Sequence, residues 1–191
     1  MRQGVVIYRS PFSFINSLAN AFLAKGKSKI FLTDMETIFI KFLIVMLAFL
    51  SMEGVAWFTH KFIMHGLLWS LHKDHHKKET TGFFEHNDFF FLIFAIPGIA
   101  GLFFGTQHNF NFLFWLGLGI TIYGFAYFLV HDIFIHRRFK VFRNTDNQYL
   151  KAIRRAHKTH HKHLGKEKGE CFGMLWVPFR YFSKRNTNGL Q

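Results

Sequence analysis

Three long apolar runs, each bounded by short polar or basic stretches, dominate the pattern along the chain. A bilayer core about 30 Å thick takes roughly 20 mostly apolar residues to cross as a helix, and all three runs approach that length. The first extends from about Thr37 to Phe58 and holds only Lys41 near its start and Glu53 near its end. The second, about Phe89 to Gly105, carries Pro97-Gly98, a pair that predicts a kink or a break. The third runs from about Phe112 to Val130, and the short polar stretch Thr106–Asn111 makes the last two an antiparallel hairpin. Together these elements predict an all-α integral membrane protein with three to four transmembrane helices. Residues 12–24 (FSFINSLANAFLA) supply the fourth candidate, as an interfacial segment or an extra short crossing.

Charge then orients the spans. The net charge is +13 with histidine neutral, and half of the residues are hydrophobic, so basic blocks alternate with apolar ones. A nucleic-acid role, which the basic balance alone suggests, yields to the transmembrane runs. Three crossings place the stretch after the first span on the same side as the stretch after the third. Lys61, Lys73, Lys77 and Lys78 follow the first, and a Lys/Arg-rich tail from Arg137 to Arg185 follows the third, which marks this face as cytoplasmic. Arg2, Arg9, Lys25, Lys27 and Lys29 run against that orientation. We therefore expect residues 1–34 to be an extension outside the core fold, with Met35 as the natural start. Residues 35–182 then form the membrane domain, and 183–191 a polar tail.

The single cysteine, Cys171, excludes an intrachain disulfide framework or a thiolate metal cluster, so ligand chemistry rests on nitrogen and oxygen. Histidines supply the nitrogen in four boxes: His60-KFIM-His65, His72-KD-His75-His76, His131-DIFI-His136 and His157-KT-His160-His161. An H-x4-H box followed by an H-x2-H-H box occurs twice, a repeat of ligand spacing without convincing similarity in the surrounding residues. In an α-helix, positions i, i+3 and i+4 share a face, so the tighter boxes can converge on a common centre. A five-residue step turns its two imidazoles apart, which suits two neighbouring metals or one metal approached from a helix end. Ten imidazoles exceed the coordination of one first-row ion, so two metals are expected. Imidazole suits Zn, Cu, Fe and Ni alike. Neither the H-E-x-x-H of zinc proteases nor the Glu-x-x-His of soluble di-iron bundles is present. His86, His108 and His163 fall outside the boxes.

The alternation of these boxes resembles that of the membrane fatty-acid and sterol hydroxylase superfamily. The segments His60-KFIMHG-Gly66, Gly82-FFEHND-Asp88, Tyr123-GFAYFLVHDIFIHRR-Arg138 and Ala156-HKTHH-His161 are similar to the bacterial β-carotene 3-hydroxylases, from about Met35 to Pro178. The resemblance implies a membrane-embedded oxygenase with a histidine-rich dimetal site on a helical cap at the cytosolic face. Its ligands would be His60, His65, His72, His75, His76, His131, His136, His157, His160 and His161. It also implies two iron ions, with zinc as a substitute in purified protein, and O2 as co-substrate. The expected reaction is hydroxylation at C3 of β-ionone rings, from β-carotene through β-cryptoxanthin to zeaxanthin, in a bacterial inner membrane. No dinucleotide fingerprint or iron–sulfur cysteine set is present, so electrons are expected from a separate donor such as reduced ferredoxin. The basic face suits an acidic ferredoxin, and anionic lipid explains the same charge. A carotenoid ketolase or a lipid hydroxylase shares the site, and a histidine-rich membrane metal transporter is the non-enzyme alternative.

Acidic and amide groups beside the boxes are expected to orient the imidazoles: Asp132, Asp74, Asn87, Asp88, Glu85 and Glu53. Asn87 and Asp88 are equally suited to cap the second span, and Glu53 to snorkel to the interface. An apolar substrate from the bilayer would meet Tyr123, Phe125 and Tyr127, although phenylalanine-rich helices more often face lipid. The glycines from Gly117 to Gly124 read as close helix packing.

Overall fold

A computed structural model describes residues 11–77, 83–139, 141, 144–167 and 170–183. Of the positions named above, Arg2, Arg9, Lys78, Gly82 and Arg185 lie outside the described residues. Helix α1 (Pro11–Phe58) passes into a π-helical segment, Thr59–Leu67, and α2 (Trp69–His76) follows. A 3-10 turn, His86–Asp88, leads into α3 (Phe89–Gln107). Helix α4 (Phe112–Tyr127) passes into a second π-helical segment, Phe128–Ile135, before α5 (Gln148–His160) and the 3-10 turn Phe179–Tyr181. No strand occurs among the described residues. By internal contacts the chain divides into Met1–Phe42 and Leu43–Gln191. Residues 11–42 are helical throughout, including residues 12–24, and every contact discussed below lies in the second unit.

Among the described residues, three helices are long and apolar enough to cross a membrane: Asn16–Leu67, His86–Gln107 and Phe112–Ile135. Large side chains such as Leu50, Phe91, Ile96, Phe103 and Phe125 are exposed along them. Apolar exposure on that scale is unfavourable in water and favourable in lipid. The protein is therefore membrane-associated.

Glycine sets the spacing of the α3–α4 hairpin. A Cβ on Gly117 would lie 2.7 Å from the Leu102 backbone nitrogen, and one on Gly105 would lie 2.3 Å from that of Phe114. Gly119 faces α1 instead, where a Cβ would lie 2.5 Å from the Val45 carbonyl oxygen. Gly124 has open space around its Cβ position and takes no part. Of the kink or break expected at Pro97-Gly98, the break does not occur, because helix α3 runs through Pro97. Proline removes one intrahelical donor. Gly98 beside it is buried against Thr121, so packing on α4 carries the helix through. Gly117→Leu is expected to force the hairpin apart and to destabilise the fold by roughly 1–3 kcal/mol or more, read as a lower unfolding temperature in detergent.

The last helix is amphipathic. Asn147 caps it, its side chain accepting from the Leu150 N–H at 3.1 Å. Ala152, Ile153, Ala156, His157 and His160 are buried along one face of α5, while Lys158 is exposed. Two alanines on that face bring the α5 backbone close, so that its histidines reach the ends of the spans.

Candidate metal centre

All ten box histidines gather in one cluster, and their donor atoms sort into two sets. The first contains His60, His65, His72, His76 and His160; the second contains His75, His131, His136 and His157. Within each set the candidate donor atoms lie within 4.8 Å of one another. His161 joins the second set, its Nε2 lying 2.8 Å from that of His157.

The wider boxes sit on π-helix, where hydrogen bonds span five residues instead of four. The His136 N–H donates to the His131 carbonyl at 2.9 Å, closing that ring across the box itself. A five-residue step therefore brings two imidazoles onto one face, with centroids 5.2 Å apart for His60–His65 and 4.6 Å for His131–His136. This corrects the expectation that such a pair points apart. The H-x2-H-H boxes depart from expectation in the opposite sense, because each splits between the two sets. His75 leaves His72 and His76 to join the second set, and His160 leaves His157 and His161 to join the first. Adjacent α-helical positions differ by about 100° around the axis, enough to aim His75 and His76 at different centres.

Hydrogen bonds decide which ring nitrogen faces inward. His60 Nδ1 donates to the Phe172 carbonyl at 2.8 Å, and His65 Nδ1 donates to the Leu164 carbonyl at 3.0 Å. His72 Nδ1 donates to Asn87 Oδ1 at 2.6 Å, His75 Nδ1 to Glu85 at 3.1 Å and His131 Nδ1 to Asp132 at 3.3 Å. Each Nε2 is thereby left with a lone pair directed into the cluster. The Nε2 atoms of His60 and His72 nevertheless face one another at 3.1 Å. Two lone pairs cannot hydrogen-bond. A cation resolves the contact, since an ion holding imidazole at about 2.1 Å sets neighbouring nitrogens roughly 3.0–3.4 Å apart. Comparable separations occur for His72–His76 and His65–His160 at 3.2 Å and for His136–His157 at 2.9 Å. In the second set, Nε2 of His75 and of His131 is buried without a partner. The residues present thus fit two nitrogen-ligated metal ions.

Electrostatics support the same reading. Burial first, together with the neighbouring imidazoles, lowers the His72 imidazole to about 3, His76 to about 2 and His161 to about 4. At neutral pH these rings are uncharged, as a metal ligand must be.

The supporting residues divide by what they touch. Asn87, Glu85 and Asp132 bond box histidines directly. Asp88 instead accepts from the Glu85 N–H at 3.1 Å and pairs with Arg138 at 2.7 Å. Asp74 is buried and accepts from the backbone and ring of His86, at 2.6 and 2.9 Å, which fastens the turn carrying Glu85 and Asn87. Glu53 accepts the N–H groups of Met174, Leu175 and Trp176 and the Tyr123 hydroxyl, at 2.7–3.1 Å. It is a staple within the fold, with no free carboxylate to snorkel. Asn87→Ala removes the acceptor from His72, and a roughly 10–100-fold loss of metal affinity is expected in competition with a chelator.

Sequence reasoning missed Arg138 and two backbone carbonyls. Arg138 contacts Glu85, Asp88 and Asp132 at 3.2, 2.7 and 3.4 Å, tying both halves of the cluster together. Three carboxylates near the boxes required a cation, and that was the available signal. Carbonyls of Phe172 and Leu164 leave no trace in side-chain identity.

A narrow cavity touches both sets, lined by His60, His131 and His157 together with Tyr127, Met174 and Trp176. Tyr127 stacks on His131, with centroids 4.8 Å apart. Tyr123 is buried, and Phe125 is 63% exposed.

The fatty acid hydroxylase family matches residues 45–179. The chain is 42% identical over 135 residues to a β-carotene hydroxylase of Pseudescherichia vulneris, covering 71% of this chain and 76% of the relative. It is 39% identical over 136 residues to a β-carotene hydroxylase of Pantoea ananas, covering 71% and 77%. A chloroplastic β-carotene 3-hydroxylase of Gentiana lutea is 39% identical over 134 residues, 69% of this chain and 41% of that protein. No solved structure shows a significant match.

Proposed function

The chain belongs to the fatty acid hydroxylase family, and from that premise we propose that it hydroxylates carotenoids at C3 of the β-ionone ring, converting β-carotene through β-cryptoxanthin to zeaxanthin. The observation that carries this reading is the pair of adjoining histidine sets, on a chain 42% identical to a β-carotene hydroxylase. The cavity that touches both sets is water-sized, about 10 Å³, so a ring reaching His60, His131 and His157 has to displace the side chains around it, with Tyr127, Met174 and Trp176 nearest. Two iron ions, held by the ten box histidines, would supply the activation of dioxygen, with overall stoichiometry C–H + O2 + 2 e⁻ + 2 H⁺ giving C–OH + H2O. The chain's own contribution is positional. Asn87, Glu85, Asp132 and the Phe172 and Leu164 carbonyls hold imidazole tautomers and planes. Electrons come from a small carrier such as reduced ferredoxin. The positive-inside pattern supports a cytoplasmic site in a bacterial inner membrane, with residues 35–182 as the catalytic domain.

Pigments from β-carotene-making cells that express the chain test this. We expect β-cryptoxanthin and zeaxanthin, formed only with oxygen. Rings bearing 4-oxo groups would instead identify a ketolase, and no new pigment would point to a lipid substrate.

A further inference from the structure

The dimetal cluster has a second face, opposite in character to the apolar cavity. Seven of the ten box histidines are buried. Only His76, His136 and His161 are partly exposed, and none of the three lines the cavity. His76 and His161 stack on one another, with centroids 4.4 Å apart and ring planes 22° apart. One belongs to each set, since His76 Nε2 lies 3.2 Å from His72 and His161 Nε2 lies 2.8 Å from His157. A single surface point therefore gives an equally short path to both centres.

Although the wider surroundings of the boxes are dissimilar, the two tight boxes share their lysines as well as their histidines. Residues 72–77 read HKDHHK and residues 157–162 read HKTHHK. Lys73 and Lys77 flank His76 at three residues before and one after, and Lys158 and Lys162 flank His161 at the same offsets. All four lysines are exposed. Resting on the hydroxylase reading, we propose that this lysine-bordered imidazole stack is the docking and electron-entry point for an acidic one-electron carrier protein. Two reduced carriers each lose one electron there per turnover, and those two electrons, with two protons from solvent, complete the reduction of dioxygen to one hydroxyl and one water. Anionic lipid would be served by lysines alone. It does not require lysines at the same sequence offsets from the two partly exposed rings that stack across the sets.

The test uses the full metal-loaded chain in nanodiscs, with an acidic [2Fe–2S] ferredoxin as probe. Charge reversal of all four lysines (K73E, K77E, K158E, K162E) is expected to weaken ferredoxin binding at least about tenfold, with the effect shrinking as salt rises. Replacement of all four by arginine should retain it, and metal content should stay at wild-type level in both variants. The loss should be equal in phosphatidylcholine discs and in discs containing phosphatidylglycerol. Unchanged ferredoxin affinity on reversal overturns the docking surface, as does an effect seen only in anionic discs, which would mark the lysines as lipid contacts. The hydroxylase reading fails separately, if the wild-type protein reduced chemically with dithionite makes no hydroxylated pigment.

Discussion

Replacing His160 by alanine is expected to reduce pigment hydroxylation by more than about 100-fold and to remove one metal, not both. His160 is fully buried, and its Nε2 lies 3.2 Å from that of His65, so nothing in the surroundings can take its place. Outer partners of metal ligands typically cost 10–100-fold when lost, and a ligand costs more. Its position also makes it diagnostic. His160 belongs by sequence to the box of His157 and His161 but by geometry to the set of His60, His65, His72 and His76. His75→Ala should act reciprocally, stripping the set of His131, His136 and His157 while leaving the one that holds its neighbours His72 and His76. Metal per chain, measured by elemental analysis, should fall from two toward one in either variant and toward zero in the double variant. If His75→Ala and His72→Ala weaken the same ion, the crossed arrangement is wrong.

Glu53→Ala should produce the largest loss of stability. The carboxylate accepts three consecutive backbone N–H groups and a tyrosine hydroxyl, joining the first span, the third span and residues 174–176. Each buried donor left without a partner costs about 1–3 kcal/mol, so a total of several kcal/mol is expected even after water and relaxation recover part of it. The consequence reaches the metal, because Phe172 on the same segment accepts from His60 Nδ1. Releasing the segment frees that ring to turn. A lower unfolding temperature should therefore appear together with faster proteolysis near residue 172 and weaker metal retention. Glu53→Gln keeps one oxygen acceptor and should lie between the two. A Glu53→Ala protein with wild-type stability and metal content would show that the segment is held by other contacts.

Arg138 shows where sequence and fold part company. Its charge is obvious in the chain, yet nothing near it in sequence indicates that Glu85 and Asp88 would come from the far end of a transmembrane hairpin to meet it. His86 illustrates the same limit from the other side. It falls outside both histidine sets, and its bond to Asp74, which fastens the turn bearing Asn87, follows only from the fold.

Local composition determined the spans, the helix class and the ten histidines, because hydrophobic length and ligand spacing act over a few turns and are written directly in residue order. The parity of three crossings was enough to bring the two halves of the cluster to one face. Only the tertiary structure decided which imidazole falls in which set. That choice depends on the π-helical pitch after α1 and α4, which aligns residues five apart, and on the α2 and α5 axes, which aim His75 and His160 across the cluster. Contacts between elements distant in sequence, through Glu53, Arg138 and two backbone carbonyls, hold these parts together, and such contacts leave no periodicity to read.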